Sequence, residues 1–260
     1  MFSNIFQLFM FWFYFLYNAY GLCSVIPKRE EVHELSSDIE NNVWEESGFF
    51  EGDIFLGSKR NGMLNETYYW PDSLIPFQID ENDFNETQVN IILGAMEEYK
   101  KRTCIRFRAF QKNDENWIVF KGNNTGCWSS VGMQKGQQVV NLNTPRCVTH
   151  GVVLHEILHA LGFFHQQSST NRDDFVKINW ENILEGKESN FNKYNTTYIT
   201  SFGVDYDYGS IMHYSGKAFS KNGDPTIEPL MNGVSLGQRK ELSESDTLKL
   251  NKMYESSCNH

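Results

Sequence analysis

The chain has 260 residues, of which 40% are hydrophobic and 15% are aromatic, enough to bury a sizeable core. Its formal net charge of -10 and sequence pI near 5.2 argue against a surface built for nucleic acid, because binding to the phosphate backbone needs clustered Lys and Arg. The composition therefore indicates a globular protein with no nucleic-acid partner.

The first twenty residues contain no charged side chain, and an apolar stretch runs from Ile5 to about Tyr17. This stretch is shorter than the ~20 residues that a membrane-spanning helix needs, so it favours a secretory signal over residues 1–21, with cleavage somewhere between positions 19 and 24. No Lys or Arg precedes the apolar core, and an uncleaved membrane anchor is the alternative. With the signal removed, we expect a secreted, extracellular protein with no membrane attachment.

Cysteines and glycosylation triplets agree with export. Cys23 lies in or beside the signal. Four further cysteines, which can pair in three ways, are Cys104, Cys127, Cys147 and Cys258. Asn-X-Ser/Thr triplets, which also arise by chance, begin at Asn65, Asn85, Asn123 and Asn195. These features predict a secreted glycoprotein with disulfide bonds.

Residues 25–60 are acidic, lack a hydrophobic period and end at the basic pair Lys59-Arg60. We interpret residues 22–60 as a detachable pro-segment that a trypsin-like protease removes after the basic pair. A flexible N-terminal arm is the alternative. Residues 61–260 then form the mature domain, with its folded part beginning near Tyr68, where aromatic residues become dense.

The first half of the mature domain predicts one helix among short strands. The helix covers residues 86–101, with Asn85 or Thr87 able to cap its start. Its apolar stripe, which we interpret as core, consists of Val89, Ile92, Met96 and Tyr99. Four short β-like runs are predicted at residues 75–79, 105–110, 117–120 and 138–142. A helix beside several strands indicates an α+β lobe.

A second helix is predicted from an N-cap at Thr149 to Leu161, where Gly162 supplies a left-handed stop. Beyond it the chain is rich in loops until residues 242–254. Apolar residues that suggest a last helix there are Leu248, Leu250 and Met253.

The segment HEILHALGFFH carries the strongest chemical signal in the chain. Residues four apart share one face of a helix, so His155 and His159 can direct two imidazoles at one ion while Glu156 flanks it. Gly162 can turn the chain back and bring His165 to the same ion. Three protein ligands with an open position for water are typical of catalytic zinc. One such histidine alone is usually a core residue, but three at the spacing HExxHxxGxxH favour one zinc ion per chain.

Downstream, SIMHY places Met212 where a metzincin has a methionine turn, with Tyr214 two residues later. The segments HEILHALGFFHQQ, NRDDFVKINWENI and SIMHY together resemble the astacin family of metalloendopeptidases, over residues 61–260. The resemblance implies an α+β, two-lobed, zincin-like fold with zinc in the cleft between the lobes. The N-terminal lobe would carry a twisted sheet and two helices, and the loop-rich C-terminal lobe a final helix. Tyr214 would be a labile zinc ligand that swings away to stabilise the oxyanion.

The same resemblance implies a latent enzyme. Phe50-Glu51-Gly52-Asp53 resembles the family's FxGD switch, in which the aspartate carboxylate occupies the water position on zinc. Asp53 would thus be a zinc ligand in the zymogen, although an isolated FEGD tetrapeptide is most often a solvated turn. Cleavage after Arg60 would create a mature terminus at Asn61. The disulfide pairs implied by the family are Cys104 with Cys258 and Cys127 with Cys147.

Two positions depart from the family pattern. Gln166 stands where the family typically has a glutamate that anchors the new N-terminus, and Ser169 stands where an arginine is expected. A neutral amide is a poorer partner for an ammonium group, so we expect a weaker or different arrangement of that terminus with catalysis retained. Gly237-Gln238-Arg239 resembles a loop that places an arginine in the pocket for the residue after the scissile bond. Arg239 would then favour acidic side chains there, and a solvated surface arginine is the alternative.

The predicted activity is hydrolysis of peptide bonds in protein or peptide substrates, with Glu156 as general base and Tyr214 stabilising the oxyanion. A catalytically inactive binding protein of the same fold is the first alternative, and it predicts a lost ligand or base. Every such residue is present in the sequence. A structural component of an egg coat or matrix is the second alternative, and it predicts internal repeats, which the sequence does not show.

Overall fold

The computed structural model describes residues 47–56, 66–197 and 199–258. The predicted signal, Cys23, the Lys59-Arg60 pair, Asn61 and Asn65 lie outside these ranges. Among the helices of the described ranges, none combines the length and the apolar character that crossing a bilayer requires.

A five-stranded sheet forms the larger part of the fold. Its strands are β1 (Leu74–Ile79), β2 (Arg106–Ala109), β3 (Trp117–Lys121), β4 (Cys127–Ser129) and β5 (Gln137–Leu142). Their spatial order is β2-β1-β3-β5-β4, and β4 with β5 is the antiparallel pair of an otherwise parallel sheet. The central strand β3 buries Ile118, Val119 and Phe120 in succession, as expected of a strand covered on both faces. Strand β4 is too short to give a sequence period, and it was not predicted.

Helix α1 covers Glu86–Arg102, close to the predicted range. Asn85, not Thr87, is its N-cap: the Asn85 side chain accepts from the backbone N–H of Gln88 at 3.0 Å, and the Gln88 side chain accepts from the backbone N–H of Asn85 at 2.9 Å. The buried face of α1 consists of Ile92, Ala95, Met96 and Tyr99, with Val89 half-buried at its margin. The predicted apolar stripe is therefore core.

Helix α2 covers His150–Leu161, and every residue from Gly151 onward is buried. Thr149 occupies the N-cap position, but its side chain makes no capping hydrogen bond. The hydroxyl of Tyr99 donates to the carbonyl of Leu154 at 2.7 Å and ties α1 to α2. Gly162 ends α2 with a φ of 126°, a backbone conformation that a side chain would disfavour.

A loop-rich region follows α2 and has its own hydrophobic core. Its two-stranded antiparallel sheet of β6 (Val176–Ile178) and β7 (Ile227–Pro229) was not predicted. The buried members of this second core are Val176, Ile183, Phe191, Tyr206, Tyr214, Ala218 and Ile227. The two cores correspond to the two lobes that the resemblance implies.

The chain ends in helices α3 (Glu244–Met253) and α4 (Glu255–Cys258). Leu250 and Met253 are buried, whereas Leu248 is 47% exposed. Residues two apart lie about 200° apart around a helix, so Leu248 and Leu250 cannot both face the core. The predicted last helix is therefore present, with Leu248 on its exposed side.

Both disulfides of the implied pattern are present. Cys104–Cys258 joins the C-terminus to the chain just after α1, with Cα atoms 5.3 Å apart. Cys127–Cys147 joins β4 to the segment before α2, with Cα atoms 5.6 Å apart. Each crosslink closes a loop and restricts the unfolded chain.

Residues 47–56 belong to the fold, although we expected it to begin near Tyr68. Ile54 is fully buried in the main core. The backbone N–H of Ser129 donates to the carbonyl of Asp53 at 3.0 Å, and that of Phe55 donates to the carbonyl of Ser129 at 2.9 Å. The segment therefore lies parallel to β4 and covers the edge of the sheet.

The glycosylation triplets in the described ranges begin at exposed asparagines. Asn85, Asn123 and Asn195 are all on the surface. Their modification remains a prediction.

Gly151 permits a close contact between α2 and the loop at residues 237–239. A Cβ built at Gly151 would lie 1.9 Å from the carbonyl oxygen of Arg239, which real Cβ atoms do not approach. The zinc-motif helix and this loop can thus pack together only because position 151 has no side chain.

We expect Gly151→Ala to destabilise the protein by about 1–3 kcal/mol, because the added methyl group overpacks a backbone contact. The measurement is the thermal unfolding midpoint of the full-length protein by circular dichroism. Gly94→Ala is the matched control, since Gly94 also lies within a helix but a Cβ there meets no atom within 4 Å. The control should be neutral or stabilising by up to ~1 kcal/mol, and equal losses in both variants would contradict the packing argument.

Candidate metal centre

Four predicted residues from distant parts of the chain meet in one buried cluster. One ligand atom from each of Asp53, His155, His159 and His165 lies within 4.8 Å of those of the others. His155 and His159 project from successive turns of α2, and the turn at Gly162 returns His165 to the same point. All four side chains are at most 2% exposed.

Hydrogen bonds behind the rings determine which nitrogen faces the centre. Nδ1 of His155 lies 2.8 Å from the carbonyl oxygen of Ile211, and Nδ1 of His159 lies 2.7 Å from that of Phe163. A carbonyl can only accept, so each Nδ1 carries the proton and each Nε2 presents its lone pair to the cluster. This is the tautomer that a metal ligand requires.

The carboxylate of Asp53 completes the donor set. One of its oxygens is 3.1 Å from Nε2 of His155, and the other is 3.4 Å from Nε2 of His159. Burial opposes the charge on Asp53, but the imidazoles of His165 and His159 hold its pKa well below the ordinary value.

The donor set fits zinc. Within the described residues, Oδ1 of Asp53 and Nε2 of His159 are buried and have no hydrogen-bond partner. A metal ion between them would satisfy both atoms. Three imidazole nitrogens and one carboxylate oxygen are ligands that zinc accepts in tetrahedral sites.

Glu156 lies on α2 beside the cluster and is fully buried. Neither of its carboxyl oxygens has a hydrogen-bond partner among the described residues. Burial raises the pKa of Glu156 well above its ordinary value, and the charge of Asp53 acts in the same direction. A buried carboxyl group with a raised pKa beside a ligand cluster is typical of a catalytic acid or base.

The methionine turn, residues 210–214, packs against the histidine cluster. Met212 is 2% exposed and belongs to the main core, whereas Tyr214 belongs to the second core. The carbonyl of Ile211 accepts from His155, and the carbonyl of Met212 accepts from the backbone N–H of Gln166 at 2.9 Å. One turn thus holds both the helix that carries the first histidine and the segment that carries the third.

Asp246 anchors this turn, and sequence reasoning did not select it. Its buried carboxylate accepts from the hydroxyl of Ser210 at 2.6 Å and from the backbone N–H of Ile211 at 2.9 Å. It also accepts from the N–H of Ser243 at 3.0 Å as part of the capping box of α3. The S-x-x-D spacing signals the cap, but nothing in the sequence signals the contact with residues 210–211.

Tyr214 lies beside the third histidine, with its ring centroid 4.7 Å from that of His165. Its hydroxyl donates to the backbone carbonyl of Glu51 at 2.6 Å. The structure therefore ties Tyr214 to the segment that contains Asp53. Its role on zinc remains a prediction.

Gln166 has a partner that sequence reasoning missed. The ammonium of Lys249 donates to the side-chain oxygen of Gln166 at 2.7 Å, and both side chains are buried. Burial lowers the pKa of Lys249, while the charge of Asp246 opposes this effect. The amide that replaces the family's glutamate is thus matched by a positive charge from α3.

Arg239 is not a solvated surface arginine, which was the alternative to a role in substrate binding. It is half-buried, and its guanidinium donates to the carbonyl of His213 at 3.0 Å, beside the methionine turn. Its backbone packs against Gly151. A role in substrate selection remains a prediction.

The model of the astacin peptidase family matches residues 62–255. The chain belongs to the astacin family. It is 42% identical over 223 residues to zinc metalloproteinase nas-14 of Caenorhabditis elegans, an alignment that covers 84% of this chain and 44% of nas-14. It is 43% identical over 213 residues to human meprin A subunit beta, an alignment that covers 80% of this chain and 30% of that protein.

A solved structure also resembles this chain. High choriolytic enzyme 1, a hatching enzyme zinc-protease of medaka (Oryzias latipes), superposes with a TM-score of 0.68 at 35% identity, covering 78% of this chain and 98% of that one. The predicted family and the α+β, metzincin-type fold are confirmed. This chain spans less than half the length of both nas-14 and meprin A subunit beta.

We expect the purified full-length protein to hold one zinc ion per chain, and His165→Ala to lose most of it, because one of three imidazole ligands is removed. Elemental analysis after dialysis measures the content. His150→Ala is the matched control, since His150 starts the same helix but its side chain is 41% exposed and bonds Glu98 outside the cluster. Equal zinc content in the two variants would contradict the assignment.

Proposed function

We propose that this chain is a secreted zinc endopeptidase, made as a zymogen, that hydrolyses peptide bonds in protein or peptide substrates. The observation that carries the proposal is the buried cluster of three histidines with Glu156 beside it, in a chain of the astacin family. The inactive binding protein is disfavoured because the residues it would have lost are all present and brought together.

Glu156 is the proposed general base. A bound zinc ion supplies a Lewis acid that polarises the substrate carbonyl and lowers the pKa of water to about 7. Glu156 takes a proton from the attacking water and passes it to the leaving amine. Its buried position, without a competing hydrogen bond in the described residues, keeps its oxygens available for both transfers.

Tyr214 is the proposed oxyanion stabiliser. Its hydroxyl is held by the carbonyl of Glu51 while residues 47–56 occupy the site. Removal of that segment frees the hydroxyl to donate to the developing negative charge on the substrate oxygen, where a fixed donor stabilises the transition state. Arg239, fixed at the edge of the same turn, is the candidate residue for selecting acidic side chains after the scissile bond.

Asp53 is the proposed latency switch. The proposal is supported by one of the carboxylate oxygens of Asp53, which lies within 4.8 Å of a ring nitrogen of each of the three histidines, and by the backbone of Asp53, which pairs with the edge of β4. The segment thus covers both the metal position and a strand edge with which an extended substrate could pair. Cleavage after Arg60 by a trypsin-like protease would release it.

We expect Glu156→Gln to lower the rate of hydrolysis of an unfolded protein substrate by about 10²- to 10⁴-fold, because an amide cannot accept the proton. The full-length chain is first treated with a trypsin-like protease, and its new N-terminus is sequenced. Glu115→Gln, at an exposed carboxylate in a loop, is the matched control and should keep full activity. A zinc chelator should abolish wild-type activity, and undiminished proteolysis in Glu156→Gln would overturn the proposal.

We expect Asp53→Ala to be active without processing, whereas the unprocessed wild type is inactive, because the variant no longer fills the fourth ligand position. The same substrate assay, run before protease treatment, measures this. Asp205→Ala, at an exposed aspartate, should remain latent. Full latency of Asp53→Ala would rule out the switch.

A further inference from the structure

Glu51, two residues before Asp53, is a buried carboxylate that neither the sequence motif nor the proposed mechanism uses. It is 1% exposed. One carboxylate oxygen lies 2.8 Å from Nδ1 of His165, and the other accepts from the hydroxyls of Ser168 at 3.0 Å and Tyr194 at 2.8 Å. Its backbone carbonyl accepts from Tyr214. A buried carboxylate is costly unless it is bonded in this way, so these contacts explain its position.

The contact with His165 differs from those behind the other two histidines. The Nδ1 atoms of His155 and His159 bond to backbone carbonyls at Ile211 and Phe163, which belong to the mature domain. Nδ1 of His165 instead bonds to Glu51, which lies in the segment that activation removes. Among the three histidines, His165 is therefore the one whose Nδ1 partner lies in the pro-segment.

The backbone at Glu51 indicates that this contact is imposed by the surroundings. Glu51 has a φ of 46°, in the left-handed region that a non-glycine residue seldom adopts. The turn is closed by hydrogen bonds in both directions between Phe49 and Gly52, at 3.0 and 3.3 Å. This conformation directs the Glu51 side chain toward His165 and places Asp53 at the ligand position.

We propose that Glu51 is a positioning residue that holds His165 in its metal-binding orientation, so that the pro-segment completes the zinc centre of the latent protein as well as blocking it. A carboxylate that accepts from the second ring nitrogen of a zinc histidine fixes the tautomer and the ring plane. Ser168 and Tyr194 fix that carboxylate in turn. This inference rests on the proposed function, since it assumes that the zinc protein is made as a zymogen.

The test is the rate at which full-length Glu51→Gln releases zinc to a colorimetric chelator. Substitution of an outer partner of a zinc histidine typically weakens metal binding by about 10- to 100-fold, so we expect a comparable acceleration relative to wild type. The cobalt-substituted proteins should also differ in their visible absorption, because the third ligand is reoriented. Phe55→Ala is the matched control: Phe55 packs on Phe49 and Trp128 away from the cluster, and its loss weakens docking without touching His165.

The processed enzyme supplies a second measurement that does not depend on folding of the variant. Cleavage after Arg60 removes residue 51, so processed wild type and processed Glu51→Gln are the same protein and should show equal kcat/KM. A synthetic peptide of residues 47–56 added to this enzyme should slow zinc release. The Glu51→Gln peptide is added at a concentration that inhibits proteolysis to the same extent. With it, zinc release should be slowed by a factor about ten times smaller than with the wild-type peptide.

The positioning role would be overturned if full-length Glu51→Gln released zinc within about twofold of the wild-type rate and kept an unchanged cobalt spectrum. The change in rate would then be smaller than the tenfold effect expected for the loss of an outer partner of a zinc histidine. Release accelerated equally by Phe55→Ala would also overturn it, because Glu51 would then act only through docking. Both results leave the proposed function intact. The proposed function itself would be contradicted if the wild type held no zinc, or if the processed wild type showed no proteolysis.

Discussion

Three imidazole rings point their Nε2 atoms at one place because the Nδ1 atom of each ring donates a hydrogen bond to an acceptor behind it. Much of the structure serves to position these three acceptors. One acceptor is a carbonyl in the methionine turn, one is a carbonyl just beyond α2, and one is the carboxylate of Glu51. Without them a buried imidazole could present either nitrogen to the centre. The ligand cluster is thus a property of its surroundings as much as of α2.

The first acceptor, the carbonyl of Ile211, depends on how the two cores meet. The turn at residues 210–214 has Met212 in the main core and Tyr214 in the second core, so it is held from both sides. Asp246 secures it through two hydrogen bonds and at the same time caps α3. The close backbone contact at Gly151 keeps the loop with Arg239 beside the same turn. Changes far from the cluster can therefore alter its geometry.

The third acceptor, the carboxylate of Glu51, belongs to residues 47–56, a segment that is itself part of the folded structure. Ile54 is buried in the main core, the backbone around it extends the sheet beyond β4, and the acidic residues that precede it reach the cluster. A segment held by core packing, strand pairing and charged contacts resists release by simple fraying. Its removal by cleavage would expose β4 and free the hydroxyl of Tyr214, the proposed oxyanion donor, at the same time.

The sequence by itself determined which histidines meet in the cluster, because residues four apart on a helix share a face and a glycine directly after α2 allows a sharp return. It also determined α1, whose capping residue and apolar period are both local signals, and the strands long enough to show a pattern. The segments HEILHALGFFHQQ, NRDDFVKINWENI and SIMHY were sufficient to indicate the family, and the role of Asp53 followed from that resemblance.

Tertiary structure alone decided the rest. β4, β6 and β7 are three residues each, too short for a period, and they exist because a neighbouring strand offers hydrogen bonds. The exposure of Leu248 was also decided by tertiary structure, because the way a helix packs determines which of its apolar residues face the core. Glu51, Lys249 and Asp246 are ordinary charged residues in sequence, and they became part of the site only when folding buried them beside partners far along the chain. Burial makes such charges costly unless paired, and pairing over that distance carries no local signal.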